Sequence, residues 1–226
     1  MSELQNRLDR LTLRLDHLGM RVEQALLDAL HAVEHADAEA GEEVDRRDEL
    51  IDREEVMIEQ ECIRLLALYQ PAAIDLRTIC MIIKVNNDLE RLADFAANMG
   101  RQSKYVASEG IDLQEDPDFT VLRQETVDVV GRTARMLGTQ DVQAARTVIA
   151  ADRRIDGAYR HLVRDVLGSA DKRPGGAETA MTFINLAKAL ERIGDLCTNI
   201  AEEIIFLRTG DIVRHADKIG ETPAAP

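Results

Sequence analysis

A chain of 226 residues with 45% hydrophobic composition has enough apolar side chains to bury a core. Aromatic residues make up only 3% and there is no Trp, a composition of packed helices that argues against a sandwich or barrel. A formal net charge of −14 repels a phosphate backbone, so nucleic acid is not an expected partner and cations or basic surfaces are.

The chain opens MSELQNRLDRL, charged from the start and without the apolar stretch of a signal peptide, so export is not expected. Leu4, Leu8, Leu11, Leu15, Leu18, Val22, Ala25, Ala29 and Ala32 alternate spacings of four and three, which predicts a long amphipathic helix to about residue 36. Asp37 supplies an N-cap for a second helix with the seam Val44, Ile51, Ile58, Cys62, Leu65 and Tyr69. That helix ends at YQPAAIDL, where Pro71 is expected in the first turn of the next. The third helix, from about 72 to 107, gathers Ile79, Ile82, Val85, Leu89, Leu92, Ala96 and Met99 on one side.

SEGIDLQEDPD, residues 108–118, breaks the periodicity with Gly, Pro and acids and marks a boundary. Residues 1–108 are thus expected to form a first three-helix bundle, 109–118 a linker, and 119–226 a second bundle with a short C-terminal tail. In that second part a helix from about 118 to 137 is expected to stop at Gly138, and another spans about 140–168. GSADKRPGG forms a loop, and the last helix, about 177–208, has the seam Phe183, Leu186, Leu190, Ile193, Cys197, Ile200, Ile204 and Leu207. The fold class is all-α. The longest apolar runs, such as ICMIIKV, fall far short of the roughly 20 residues that span a bilayer, so a soluble chain is expected. Cys62, Cys80 and Cys197 are odd in number and lie in apolar helical stretches, which fits reduced thiols in a cytosol.

The two parts repeat each other. LERLADFAANM and LERIGDLCTNI place Glu191, Asp195 and Asn199 each 101 residues after Glu90, Asp94 and Asn98. Upstream, RRDELID and AADRRID align at an offset of 104, matching Asp48 with Asp152, Ile51 with Ile155 and Asp52 with Asp156. Each half therefore carries two acid pairs at i and i+4, on one helical face each. Like charges at that spacing cost roughly 0.2–0.5 kcal/mol per pair.

Two readings fit such acids. They are a solvated face, or they hold a cation: hard carboxylate oxygens with few nitrogen or sulfur donors suit Mg²⁺, Mn²⁺, Ca²⁺ or oxidised iron. At 100° per residue, Glu90, Asp94 and Asn98 point roughly 140° or more from the seam of their helix, while Asp48 and Asp52 flank the seam of theirs. The acids would then form an open site on an outer face of each bundle. Glu55 and Glu59 extend the first stripe, but their counterparts are Tyr159 and Val163, so the two sites are expected to differ. A di-iron centre inside a four-helix core would need a Glu-x-x-His pair, which is absent. Of the five histidines only His31 and His35 have helical ligand spacing, and a surface or interfacial role is expected for them. No GxGxxG, phosphate loop or nucleophile elbow occurs, so no catalytic residue is assigned and a binding surface is expected.

With LLALYQPAAIDLR, LERLAD, LERIGD and the closing TGDIVRH, the chain resembles the PhoU family of bacterial cytosolic phosphate-signalling regulators along nearly its whole length. The resemblance implies two similar three-helix bundles whose acidic motifs bind metal clusters at the surface. Carried onto this sequence, the ligands would be Asp48, Asp52, Glu90 and Asp94 in the first bundle and Asp152, Asp156, Glu191 and Asp195 in the second, with Asn98 and Asn199 as neighbours. Iron, manganese, magnesium or zinc would be the metal. Leu92-Ala93 stands where the family commonly has Ile-Gly, and Cys197 follows Leu196 where a His often sits.

The resemblance also implies a homodimer without catalysis. Such a protein couples the phosphate ABC transporter to a membrane sensor histidine kinase and represses phosphate-starvation genes when phosphate is plentiful, reaching the membrane only through its partners. Arg77, in DLR, would dock such a partner or form a structural salt bridge. A carboxylate-cluster protein that binds or stores metal is the alternative function.

Overall fold

The computed structural model describes residues 2–173 and 175–213. Six helices account for nearly all of them: α1 Glu3–Glu34, α2 Ala38–Tyr69, α3 Ala73–Glu109, α4 Pro117–Thr139, α5 Val142–Ser169 and α6 Gly176–Thr209, with one 3₁₀ turn, Ala170–Lys172, before α6. No strand occurs among the described residues. His215 and the tail expected at the C-terminus lie outside the described residues.

Local chemistry fixes most boundaries. Ser2, Asp37, Asp116 and Asp141 are N-caps whose side chains accept backbone N–H bonds in the first turns of α1, α2, α4 and α5. Two expected boundaries move. Pro71 stands outside α3: Gln70 caps α2 in the left-handed region at φ 45° and Ala72 is the extended N-cap of α3, so the proline belongs to the reversal between them. Gly138 does not stop α4, which continues to Thr139 before Gln140 turns left-handed at φ 51°. The glycine serves close packing instead, since a Cβ there would stand 2.8 Å from Oδ1 of Asp16 on α1.

The seam residues expected for α6 are all buried, as are those of α3. In α1 and α2 the seams are buried except Leu4, Ala25 and Tyr69, which pack against the core from its edge. α2 and α3 pack tightly with α1, and α5 and α6 with α4. The halves then join through α1 against α4 and α3 against α6, leaving α2 and α5 outermost. One continuous hydrophobic cluster runs through all six helices.

This arrangement gives α3 more to bury than one seam. Beyond the expected stripe it also buries Met81, Asn86, Ala93, Ala97, Gly100, Ser103 and Val106. At Gly41 the α2 backbone comes so near α3 that an added Cβ would lie 2.2 Å from the Gly100 carbonyl oxygen. Close approach of these two helices brings their acids together.

Candidate functional site: paired acidic grooves

Each half presents a groove between its last two helices. In the first, Asp48 and Asp52 on α2 face Glu90 and Asp94 on α3; Asp52 and Asp94 are exposed, while Asp48 and Glu90 are half-buried. The half-burial of Glu90 departs from the fully outward direction expected of it, because α3 is flanked by helices on more than one side. In the second groove Asp152 and Asp156 on α5 meet Glu191 and Asp195 on α6, all four half-buried.

The electrostatics show that the acids of each set sense one another. Burial first, and then the carboxylates of Asp52, Asp94 and Asp45, push Asp48 up to about 6, against a smaller lowering by Arg101. Burial also raises Asp52, with Asp94 and Glu49 adding to it. Glu90 is raised by burial and then by Asp94, Asp52, Glu55 and Asp48. In the second groove burial raises Asp152, followed by Asp156 and Asp195, while a hydrogen bond from Thr198 opposes them. Glu191 is raised by burial and Asp195, with Arg192 pulling the other way.

The charge balance of the two grooves differs. Among the described residues, Asp48, Asp52, Glu90 and Asp94 make no ion pair. Arg101 lies at one end of that groove but is held by Asp45 and by Asn98. Asn98 also donates to the Asp94 carbonyl oxygen at 2.9 Å. Asn199 is exposed at the matching place in α6.

Glu55 is half-buried in the first groove and accepts at its Oε1, and at its backbone oxygen, from Nδ2 of Asn86, at 3.2 and 2.9 Å. Glu59, one turn further along α2, is exposed and adds to the raising of Glu55. Asn86 itself is fully buried, and its Oδ1 has no hydrogen-bond partner. It stands one turn before Glu90, a spacing that could have marked it as a continuation of the acidic stripe. Arg192 and Thr198 also shape the second groove, through contacts with Asp195 and Asp152 that periodicity does not reveal.

The donor set suits a hard cation: carboxylate oxygens, no thiol, and a buried amide oxygen without a donor. The side chains as they stand are not gathered, since among the described residues no three His, Cys, Asp or Glu form a group that could hold a metal ion. A bound cation would have to order them. Asp48, Asp52, Glu90 and Asp94, with Glu55 beside them, are the residues that would do so in the first half; Asp152, Asp156, Glu191 and Asp195 are the set in the second.

Other candidate groups lie elsewhere. His31 and His35 stack with ring centroids 4.1 Å apart, and His161 bonds Asp118 at 2.9 Å. Cys62, Cys80 and Cys197 are free, and burial pushes the thiols of Cys62 and Cys197 up to about 12, so both stay protonated. Arg77 is half-buried with Nε lacking a partner, and its Nη1 would meet a Cβ at Gly210 at 2.5 Å, so the guanidinium lies against the end of α6. Two cavities are lined by none of these groove acids: one of about 100 Å³ beside Lys84, Glu203 and Phe206, and an open one of about 490 Å³ beside Tyr105 and Glu178.

The chain is a duplicated helical scaffold with an acidic groove on each half. Comparison with known proteins places it further. The family model described as PhoU domain matches residues 15–103 and again 121–204, so the chain belongs to the PhoU family. The phosphate-specific transport system accessory protein PhoU of Serratia marcescens is 31% identical over 88% of this chain and 81% of its own length. The PhoU homolog of Aquifex aeolicus is 35% identical over 86% and 87%. The crystal structure of PhoU from Pseudomonas aeruginosa superposes with a TM-score of 0.88 at 30% identity, covering 92% of this chain and all of that one. The Streptococcus pneumoniae PhoU structure, at 24% identity, shares the fold with a TM-score of 0.85.

Proposed function

We propose that this protein is a negative regulator of phosphate homeostasis: a cytoplasmic adaptor that couples the phosphate ABC transporter to a sensor histidine kinase. It restrains uptake and phosphate-starvation gene expression when phosphate is plentiful. The observation that carries this is the double PhoU domain match, together with relatives named as accessory proteins of phosphate-specific transport over most of the chain. Binding, not catalysis, is the mode of action.

The physical features support such a role. No helix among the described residues is long and apolar enough to cross a membrane. In this reading the adaptor acts as a homodimer and reaches the membrane through its partners. Its net charge of −14 favours and steers docking onto basic surfaces. Arg77 would contribute to such docking only from its half-buried place beside Gly210.

Metal binding at the grooves belongs to the same proposal. A metal ion there would neutralise clustered carboxylates and fix α2 against α3. Asp48, Asp52, Glu90 and Asp94 would supply its charged oxygens. Deleting the gene should leave a phosphate-starvation reporter switched on in phosphate-rich medium, and pull-downs from membranes should recover the transporter and kinase. Normal repression in a clean deletion, with no paralogue present, would contradict the proposal.

A further inference from the structure

Matched positions around the two grooves differ, and four of the differences lower the need for an external cation in the second; against them, Arg101 at the end of the first groove corresponds to Glu202. Asp88 on α3 corresponds to Ala189 on α6 at the offset of 101. In α3, Arg91 turns back toward Asp88, with Nη1 3.9 Å from Oδ1. With alanine in that place, Arg192 turns forward and sets Nη1 3.1 Å from Asp195 and Nε 3.6 Å from Glu191. Ala97 corresponds to Thr198, whose hydroxyl donates to Oδ1 of Asp152 at 3.3 Å. Asn86 and Glu55, hydrogen-bonded across the first groove, correspond to Ala187 and Tyr159, which pack against the hydrophobic core.

The second groove therefore holds a guanidinium paired directly with its acids and a hydroxyl donor, whereas among the described residues Asp48, Asp52, Glu90 and Asp94 of the first make no ion pair and lie near the unpartnered, fully buried oxygen of Asn86. We propose that Arg192 is a built-in counter-cation of the second groove, so that a divalent cation binds preferentially in the first, where Asn86 and Glu55 extend the oxygen donors. This rests on the metal reading given above. A cation entering the second groove must displace a guanidinium from two carboxylates and then tolerate its positive charge nearby. The resulting preference for the first groove is on the order of tenfold in affinity.

Calorimetric titration of the full chain with MnCl₂ alone, at low ionic strength, tests this, with melting curves confirming that each variant is folded. The unsubstituted chain should show one tight class of binding, lost in Asp52→Asn/Asp94→Asn and kept in Asp156→Asn/Asp195→Asn. Arg192→Gln should add a second class and enlarge the rise in melting temperature with Mn²⁺. Two equal classes in the unsubstituted chain, tight binding lost through the second pair instead, or no added binding in Arg192→Gln would overturn the proposal while leaving metal binding itself intact. No binding to the unsubstituted chain would remove both.

Discussion

Asp48 shows how much the fold spends on keeping its acids together. Its carboxyl, ordinarily near 3.8, is pushed up to about 6. Below the lower value both folded and unfolded chains carry the proton and there is no penalty. As pH rises through the interval the folded state holds a proton that the unfolded state has released, so this residue's contribution to stability falls, and above about 6 the loss is complete. Asp48→Asn is thus expected to stabilise the metal-free protein at pH 7 by about 1 kcal/mol, after allowance for solvent screening, and to do nothing at pH 3.5. Denaturant melts at the two pH values measure this; saturating Mn²⁺ should erase the gain at pH 7. The acids themselves were legible from spacing and repetition. Arg192 was not, because whether an arginine turns back, as Arg91 does to Asp88, or forward, as Arg192 does to Asp195, is a choice of rotamer that spacing does not fix.

At the scale of helices, the pairing of α2 with α3 depends on a glycine contact. A Cβ on Gly41 would lie 2.2 Å from both the Gly100 carbonyl and Oγ of Ser103. Gly41→Ala should cost about 1–3 kcal/mol and shift α2 relative to α3, measurable as a lower denaturation midpoint and weaker Mn²⁺ binding in the first groove. Gly157→Ala on α5 is the contrasting case. It meets nothing within 4 Å in mid-helix and should gain about 0.5–1 kcal/mol in the same melts. Helices were the most legible level, since periodic leucines and the Asp37 cap identify them directly. Gly138 misled because a glycine near a helix end reads as a terminator, whereas here it lets α4 approach Asp16 on α1. That requirement comes from a helix more than a hundred residues away in sequence.

For the whole molecule, duplication explains the architecture and its asymmetry. Two copies of one helical unit join through α1 against α4 and α3 against α6, which buries parts of α3 and α6 that periodicity alone left at the surface. Matched acids persist in both halves, while the residues around them have diverged until one groove compensates itself. If the acidic face serves regulation, the first groove is where function should be lost first. The most direct test is a phosphate-starvation reporter in a deletion strain grown in rich phosphate and complemented with the intact chain or with Asp52→Asn/Asp94→Asn. The intact chain should restore repression, and the variant, present at equal level and folded, should leave the reporter on. Full repression by that variant would contradict the assignment of function to the groove.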